Sequence, residues 1–168
     1  IANSVSGQST AFSFASGSKI DLFKSLTVEG GSLPSNGAIT LKSTSSNTAR
    51  IANSAGIITG TITAERYVQN KGWHFTGTAL AGQTIIDWND DMQTQGSMPG
   101  CEVYNPGSNT SSIFEYDESY TVNDLSEING WKVPTSSTIQ QGKGYRLYTP
   151  ANTKLDNTGT YSMNPAPI

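Results

Sequence analysis

Disulfides, catalytic histidines and long apolar runs are all scarce in this chain, and each scarcity removes a class of protein. Cys101 is the only cysteine, so no intrachain disulfide forms, and a lone thiol is first of all a small packing residue. His74 is the only histidine; flanked by Trp73 and Phe75 in a strand-like pattern, it reads as structural rather than as a general base. No Gly-x-Ser-x-Gly elbow, His-Glu-x-x-His pair or phosphate loop occurs. No apolar stretch approaches the length of a membrane span, and no basic leader precedes one. A chain that opens on Ile1 is expected to be a processed product or an excised fragment. Charged residues make up only 14% of the sequence, and the basic ones are too few and scattered for a nucleic-acid surface.

Small hydroxyl and amide side chains fill the gap. Ser and Thr number 22 and 20, with 13 Asn and 17 Gly among the 168 residues. Thr suits a half-buried pleated surface, whereas Ser, Asn and Gly suit turns. The mixture predicts an all-β chain of many short strands. Ile20, Leu22, Leu26 and Val28 lie at even positions, as strand alternation requires, before Gly30-Gly31 breaks the pattern. Asn36-Gly37 is a turn signal ahead of Ile39 and Leu41. Alternation then runs through Ile58, Ile62, Ala64, Arg66 and Val68.

Residues 1–60 therefore read as a linker followed by β-solenoid-like coils, each coil burying its apolar side chains by stacking on the next. Residues 61–168 are richer in aromatics and read as a β-sandwich, jelly-roll-like, with an irregular C-terminal tail. Strands are expected at 72–78, 101–104, 112–116 and 144–148, with one helical turn over 84–92 capped by Thr84.

Two constellations bear on function. Lys and Arg are absent from residues 72–131, which hold nine acids: Asp87, Asp90, Asp91, Glu102, Glu115, Asp117, Glu118, Asp124 and Glu127. Asp87, Asn89, Asp90 and Asp91 make the densest oxygen cluster, and calcium is the cofactor such hard ligands would take. The EF-hand pattern is absent, since Met92 and Met98 stand where Gly and Glu belong. Solvated turn acids, or pairs with Arg50, Arg66 or Arg146, are the competing outcome. The second constellation is aromatic. Trp73, Trp88, Trp131 and Tyr104 are candidates to stack on sugar rings, although a sandwich core consumes aromatics too. Trp131, beside Asn129-Gly130, is the one expected to be exposed.

Several segments together resemble a known class. They are Gly60-Thr61-Ile62-Thr63-Ala64-Glu65-Arg66-Tyr67-Val68, Lys71-Gly72-Trp73-His74-Phe75, Ser112-Ile113-Phe114-Glu115-Tyr116 and Gly142-Lys143-Gly144-Tyr145-Arg146-Leu147-Tyr148. Their order is similar to that in non-catalytic β-rich modules of large surface and secreted proteins of the Bacteroidetes, which leave the cell by type IX secretion. The resemblance spans roughly residues 20–150. It implies an extracellular or cell-surface location and no catalytic residues, with Arg66 placed to pair with an acid.

A structural or adhesive module is thus the first expectation, without enzymatic activity. A carbohydrate-binding module using exposed aromatics is the second, and a glycoside-cleaving domain with paired carboxylates the third. Expected partners are neighbouring domains of the same polypeptide, other surface-protein chains and extracellular polysaccharide. Both termini are poor in large apolar groups, so at least one is expected to pair with a neighbour.

Overall fold

The computed structural model describes residues 3–5, 14–107, 110–119 and 130–161. Asp124, Glu127, Asn129 and the C-terminal residues 162–168 lie outside them. The chain is all-β: strands dominate, and the only helical piece among the described residues is the 3-10 turn Ile85–Trp88. No helix among them is long and apolar enough to cross a membrane. Two compact units are formed. One comprises Ile1–Tyr67, Ala79–Gly82 and Lys154–Ile168, the other Val68–Thr78 and Gln83–Thr153. The first unit therefore extends beyond residue 60 and takes up segments that composition assigns to the second.

Eight strands open the chain: β1 (Asn3–Val5), β2 (Ile20–Leu22), β3 (Ser25–Val28), β4 (Ser32–Pro34), β5 (Ile39–Leu41), β6 (Arg50–Ile51), β7 (Ile57–Thr59) and β8 (Thr61–Val68). They form three parallel ladders, β1-β3-β6, β2-β5-β8 and β4-β7. From β2 onward the chain visits the ladders in one fixed order, repeats that order through β5, β6 and β7, and returns to the first ladder at β8. Paired residues such as Ile20 and Ile39, or Leu33 and Ile58, face each other one circuit apart. Leu22, Leu26, Val28, Leu33, Ile39, Leu41, Ile58 and Ile62 point inward and are buried together. Their spacing is strand alternation interrupted at corners, where Phe23 and Gly60 change direction.

Asn36-Gly37 is one such corner. Both residues take left-handed angles, φ 48° and 77°, and Ala38 N–H donates to Ser35 C=O at 2.8 Å. That is the geometry an Asn-Gly pair favours in hairpins. Here the flanking strands join different ladders, so the turn makes a corner instead. The corner is tied to the next one: Ser35 N–H reaches Thr59 C=O at 2.8 Å and Gly37 N–H reaches Thr61 C=O at 2.9 Å. The fully buried Ser35 hydroxyl lies 2.6 Å from the same Thr61 oxygen.

Ten further strands follow: β9 (Gly72–Thr76), β10 (Leu80–Ala81), β11 (Gln83–Thr84), β12 (Gln95–Gly96), β13 (Val103–Tyr104), β14 (Ile113–Tyr116), β15 (Trp131–Lys132), β16 (Thr138–Ile139), β17 (Tyr145–Thr149) and β18 (Thr153–Tyr161). β18 is the longest strand, in a region that composition assigns to an irregular tail. It lies along the free edge of β8 and carries β10 on its own far side, completing the sheet β10-β18-β8-β5-β2. The second unit holds the antiparallel sheet β15-β14-β17-β9 and two two-stranded ladders, β11-β16 and β12-β13. Ile85, Trp88, Met92, Met98, Ile113, Ile139, Tyr145 and Leu147 are buried in it, and Trp88 meets Tyr145 edge-on at 6.0 Å.

One buried charge sits in the first unit. Glu65, on β8, is 7% exposed. Its carboxylate accepts from Lys42, from Lys154 at 3.1 Å and from Ser43 N–H at 3.2 Å. Burial pushes the carboxyl up, but the bond from Lys42 and those from Ser43 and Lys154 outweigh it and hold the group below its ordinary value. In the Glu-Arg-Tyr segment it is thus Glu65 that is paired. Arg66 is exposed and forms no ion pair among the described residues.

Removing Glu65 leaves two ammonium groups facing each other. Because both lysines reach solvent, Glu65→Gln is expected to cost about 1–3 kcal/mol, below the range for fully buried pairs. Urea denaturation measures it. The sign with pH follows from the lowered carboxyl: its contribution is complete above the ordinary 4.5 and is lost as pH falls through the folded value. Wild type should therefore lose stability on acidification below about pH 4.5 more steeply than Glu65→Gln.

Candidate functional site: an aromatic sheet face

In the sheet β15-β14-β17-β9 the central strand β17 is paired on both edges. Tyr148 faces Trp73, Arg146 lies between Phe75 and Phe114, and Tyr116 faces Trp131. Side chains of directly opposed residues share a face, and residues two apart along a strand do too. Six aromatics and one guanidinium therefore occupy a single face of this sheet. The intervening residues Ile113, Tyr145 and Leu147 turn to the other face and are buried.

The aromatic face is open. Phe75 is 73% exposed, Tyr116 41%, Trp73 40% and Tyr148 38%. Phe114, Trp131 and Arg146 are half-buried between them. Trp73 contacts Tyr148 at 5.3 Å and Phe114 at 5.6 Å, while Trp131 contacts Tyr116 at 5.2 Å and Phe75 at 5.5 Å. Interplanar angles run from 37° to 68°, the tilted arrangement that ring quadrupoles prefer. The Arg146 guanidinium stands 4.5 Å from the Trp73 ring centre, a cation–π contact that keeps a positive charge within the apolar layer.

At the Trp131 end the face opens into a pocket of about 710 Å³. Tyr116 and Trp131 form one wall, and the turn Gln140–Gly144 another. Gly142 takes φ 76° in that turn. Gly130 positions Trp131: it has φ 87°, and a Cβ there would stand 2.7 Å from the Tyr116 ring. Lys132 bonds Asp117 at 3.0 Å and Lys143 bonds Glu115 at 2.8 Å. The Ser119 hydroxyl, then Lys132 and the Ser119 N–H, bring Asp117 down to about 2. Both partners of that exposed pair stay ionised at neutral pH.

Of the four aromatics singled out from sequence, the structure brings two together. Trp73 and Trp131 share the open face, and Trp131 is the more covered of the two. Trp88 is 1% exposed in the core and is unavailable to a ligand. Tyr104 is 56% exposed but stands on the separate β12-β13 ladder. Phe75, Phe114, Tyr116, Tyr148 and Arg146 complete the face. Their signal was there: Trp73-His74-Phe75, Phe114-Glu115-Tyr116 and Arg146-Leu147-Tyr148 each place large side chains two apart.

The acidic cluster lies on the 3-10 turn Ile85–Trp88 and the residues just after it. Asp87 accepts from Thr84 N–H at 2.6 Å and from its hydroxyl at 3.0 Å, closing the start of the 3-10 turn. Asn89 donates to Gly100 C=O at 2.9 Å and accepts from Thr94. Asp90 is exposed and Asp91 half-buried. Among the described residues no group of three or more acidic, His or Cys side chains is placed to hold a metal ion. Of the helical turn expected over 84–92, residues Ile85–Trp88 form a 3-10 turn, and Met92 N–H still reaches Trp88 C=O at 3.0 Å. His74 Nε2 meets Asn70 C=O at 2.8 Å, so that nitrogen carries the proton. Cys101 is buried, and burial raises its thiol against the opposing bond with Thr94.

These placements separate core from face. Trp88→Ala is expected to cost about 3–5 kcal/mol, while Phe75→Ala costs less than about 1 kcal/mol. Urea denaturation of the two variants checks this, and similar losses would contradict the assignment. Compared with protein-family models, with curated proteins and with solved structures, the chain matches none.

Proposed function

We propose that this chain is a non-catalytic structural and adhesive module of an extracellular or cell-surface protein, of the kind its sequence resembles. The observation that carries the reading is the open face of β15-β14-β17-β9, where six aromatics stand together and four of them are more than a third exposed. Isolated exposed apolar residues need no explanation, but a contiguous patch marks an interaction surface. Aromatic side chains are the usual anchors of such surfaces because they bury large areas at small entropic cost.

The first unit supports the structural half of the reading. Three parallel ladders visited in a repeating order, with partners one circuit apart, support a short β-solenoid for this unit. Stacked coils of this kind space and stiffen what they join. A jelly-roll sandwich for the second unit has less behind it, because its broad sheet faces the 3-10 turn residue Trp88 rather than a second broad sheet.

A carbohydrate-binding module is the second reading, favoured by the pocket beside Trp131, where ring faces adjoin amide and charged side chains. Solid-phase binding tests the adhesive reading. Wild type and a Trp73→Ala/Phe75→Ala double variant are applied to immobilised mucin, fibrinogen, cellulose and chitin. At least one surface should retain wild type tenfold or more over the variant. Equal retention on every surface would overturn the proposal.

A further inference from the structure

We infer that the pocket between the β14–β15 end of the sheet and the Gln140–Gly144 turn binds a neutral saccharide, a ligand class that deepens the adhesive reading and rests on it. Three features of the pocket converge on that class.

The first is the wall. Tyr116 and Trp131 present rings at 57° to one another, 5.2 Å apart. Rings tilted by that much make no flat platform for an extended polymer surface. They form instead a corner on one wall of the pocket, against which the C–H face of a sugar ring can pack. The second is the polar lining. Gln140 and Gln141 stand exposed on the turn that forms the opposite wall. Amides supply both donor and acceptor, which is what vicinal hydroxyls require. The volume, about 710 Å³, falls within the roughly 300–1,000 Å³ of small-ligand sites.

Charge is the third feature, and it selects among polar ligands. Lys132 and Lys143 both line the pocket, yet each is already bonded to a carboxylate, Asp117 and Glu115 respectively. Glu118 adds another carboxylate to the lining. In the lining the two ammonium groups stand with two carboxylates, Asp117 and Glu118, while Glu115 holds Lys143 from outside it. A phosphate, a uronate or a sulfated sugar would have to break an ion pair to be met. A divalent cation would have to displace the lysines. A neutral polyol disturbs neither and can bridge to the paired groups as they stand.

Native affinity electrophoresis through gels containing mannan, laminarin, xylan, alginate or polygalacturonate tests the inference, with calorimetry on oligosaccharides of any polymer that retards the chain. At least one neutral polymer should retard it and neither acidic polymer should. Gln140→Ala, at an exposed position, should raise the dissociation constant tenfold or more without moving the melting temperature. Trp131→Phe should abolish the tryptophan fluorescence change on binding. Retardation by acidic polymers alone would overturn the ligand class. Retardation by a neutral polymer that survives the glutamine change but is lost in Trp73→Ala would overturn the pocket and leave the adhesive face standing. No retardation by any neutral polymer, with mucin or fibrinogen retention through Trp73 and Phe75 intact, would also overturn the pocket alone. Failure of both assays would overturn both readings.

Discussion

The register of β17 is the constraint on which the second unit depends. Five opposed pairs join it to β9 and three join it to β14, so its position relative to both neighbours is fixed by backbone hydrogen bonds. Strand side chains alternate with a period of two, and a slip by one residue would exchange the two faces. Tyr145 and Leu147 would then meet solvent, while Arg146 and Tyr148 would enter the core. Burial of an unpaired guanidinium is costly enough to forbid that arrangement. The same energetic preference that packs Leu147 inward therefore assembles the aromatic layer outside. No separate stabilisation has to be invoked to explain why Trp73, Phe114 and Tyr148 meet.

In the first unit stacking replaces pairing of neighbours in sequence. Strands β2 to β7 are two to four residues long, and each pairs in parallel with the strand one circuit away. Where a side chain at a corner carries a hydroxyl, it is used to tie circuits together, as Ser35 is to the Thr59–Thr61 corner. Ser43 does the same one strand later, receiving the Tyr67 N–H at 3.0 Å. Glu65 then collects Lys42 and Lys154, from segments far apart in sequence, at a point where β18 closes the edge left open by β8. The abundance of Ser and Thr is in this light a requirement of the corners as much as of the exposed surface.

Much of this was legible from residue type and spacing. The even-numbered apolar positions from 20 to 28 and the alternation through 58–68 mark strands, and the structure has them. Thr84 marks the start of a turn, and it is found there with Asp87 closing it. What could not be read was determined by contacts distant in sequence. Thr153–Tyr161 has few large apolar residues, so composition alone makes it look like a tail; its place as a strand is set by pairing with β8 and β10. Trp88 and Trp131 carry similar local sequence signals, yet one is core and the other lines a pocket. The difference lies in Tyr145, which closes over Trp88 from β17, and in Gly130, which admits the Tyr116 ring beside Trp131. In the aspartate cluster, Asp87 and Asn89 bond backbone groups of the turn and of the loop that follows it.

The Asn36-Gly37 corner has a consequence for chemical ageing. Asparagine followed by glycine is the sequence most prone to spontaneous deamidation, because the glycine nitrogen can attack the asparagine side-chain carbonyl and close a succinimide. In this fold that nitrogen donates its hydrogen to Thr61 C=O and is held in the ladder corner. The attack requires the corner to open first. The rate at which this peptide bond ages is therefore a clock for local opening of the corner that joins the ladders.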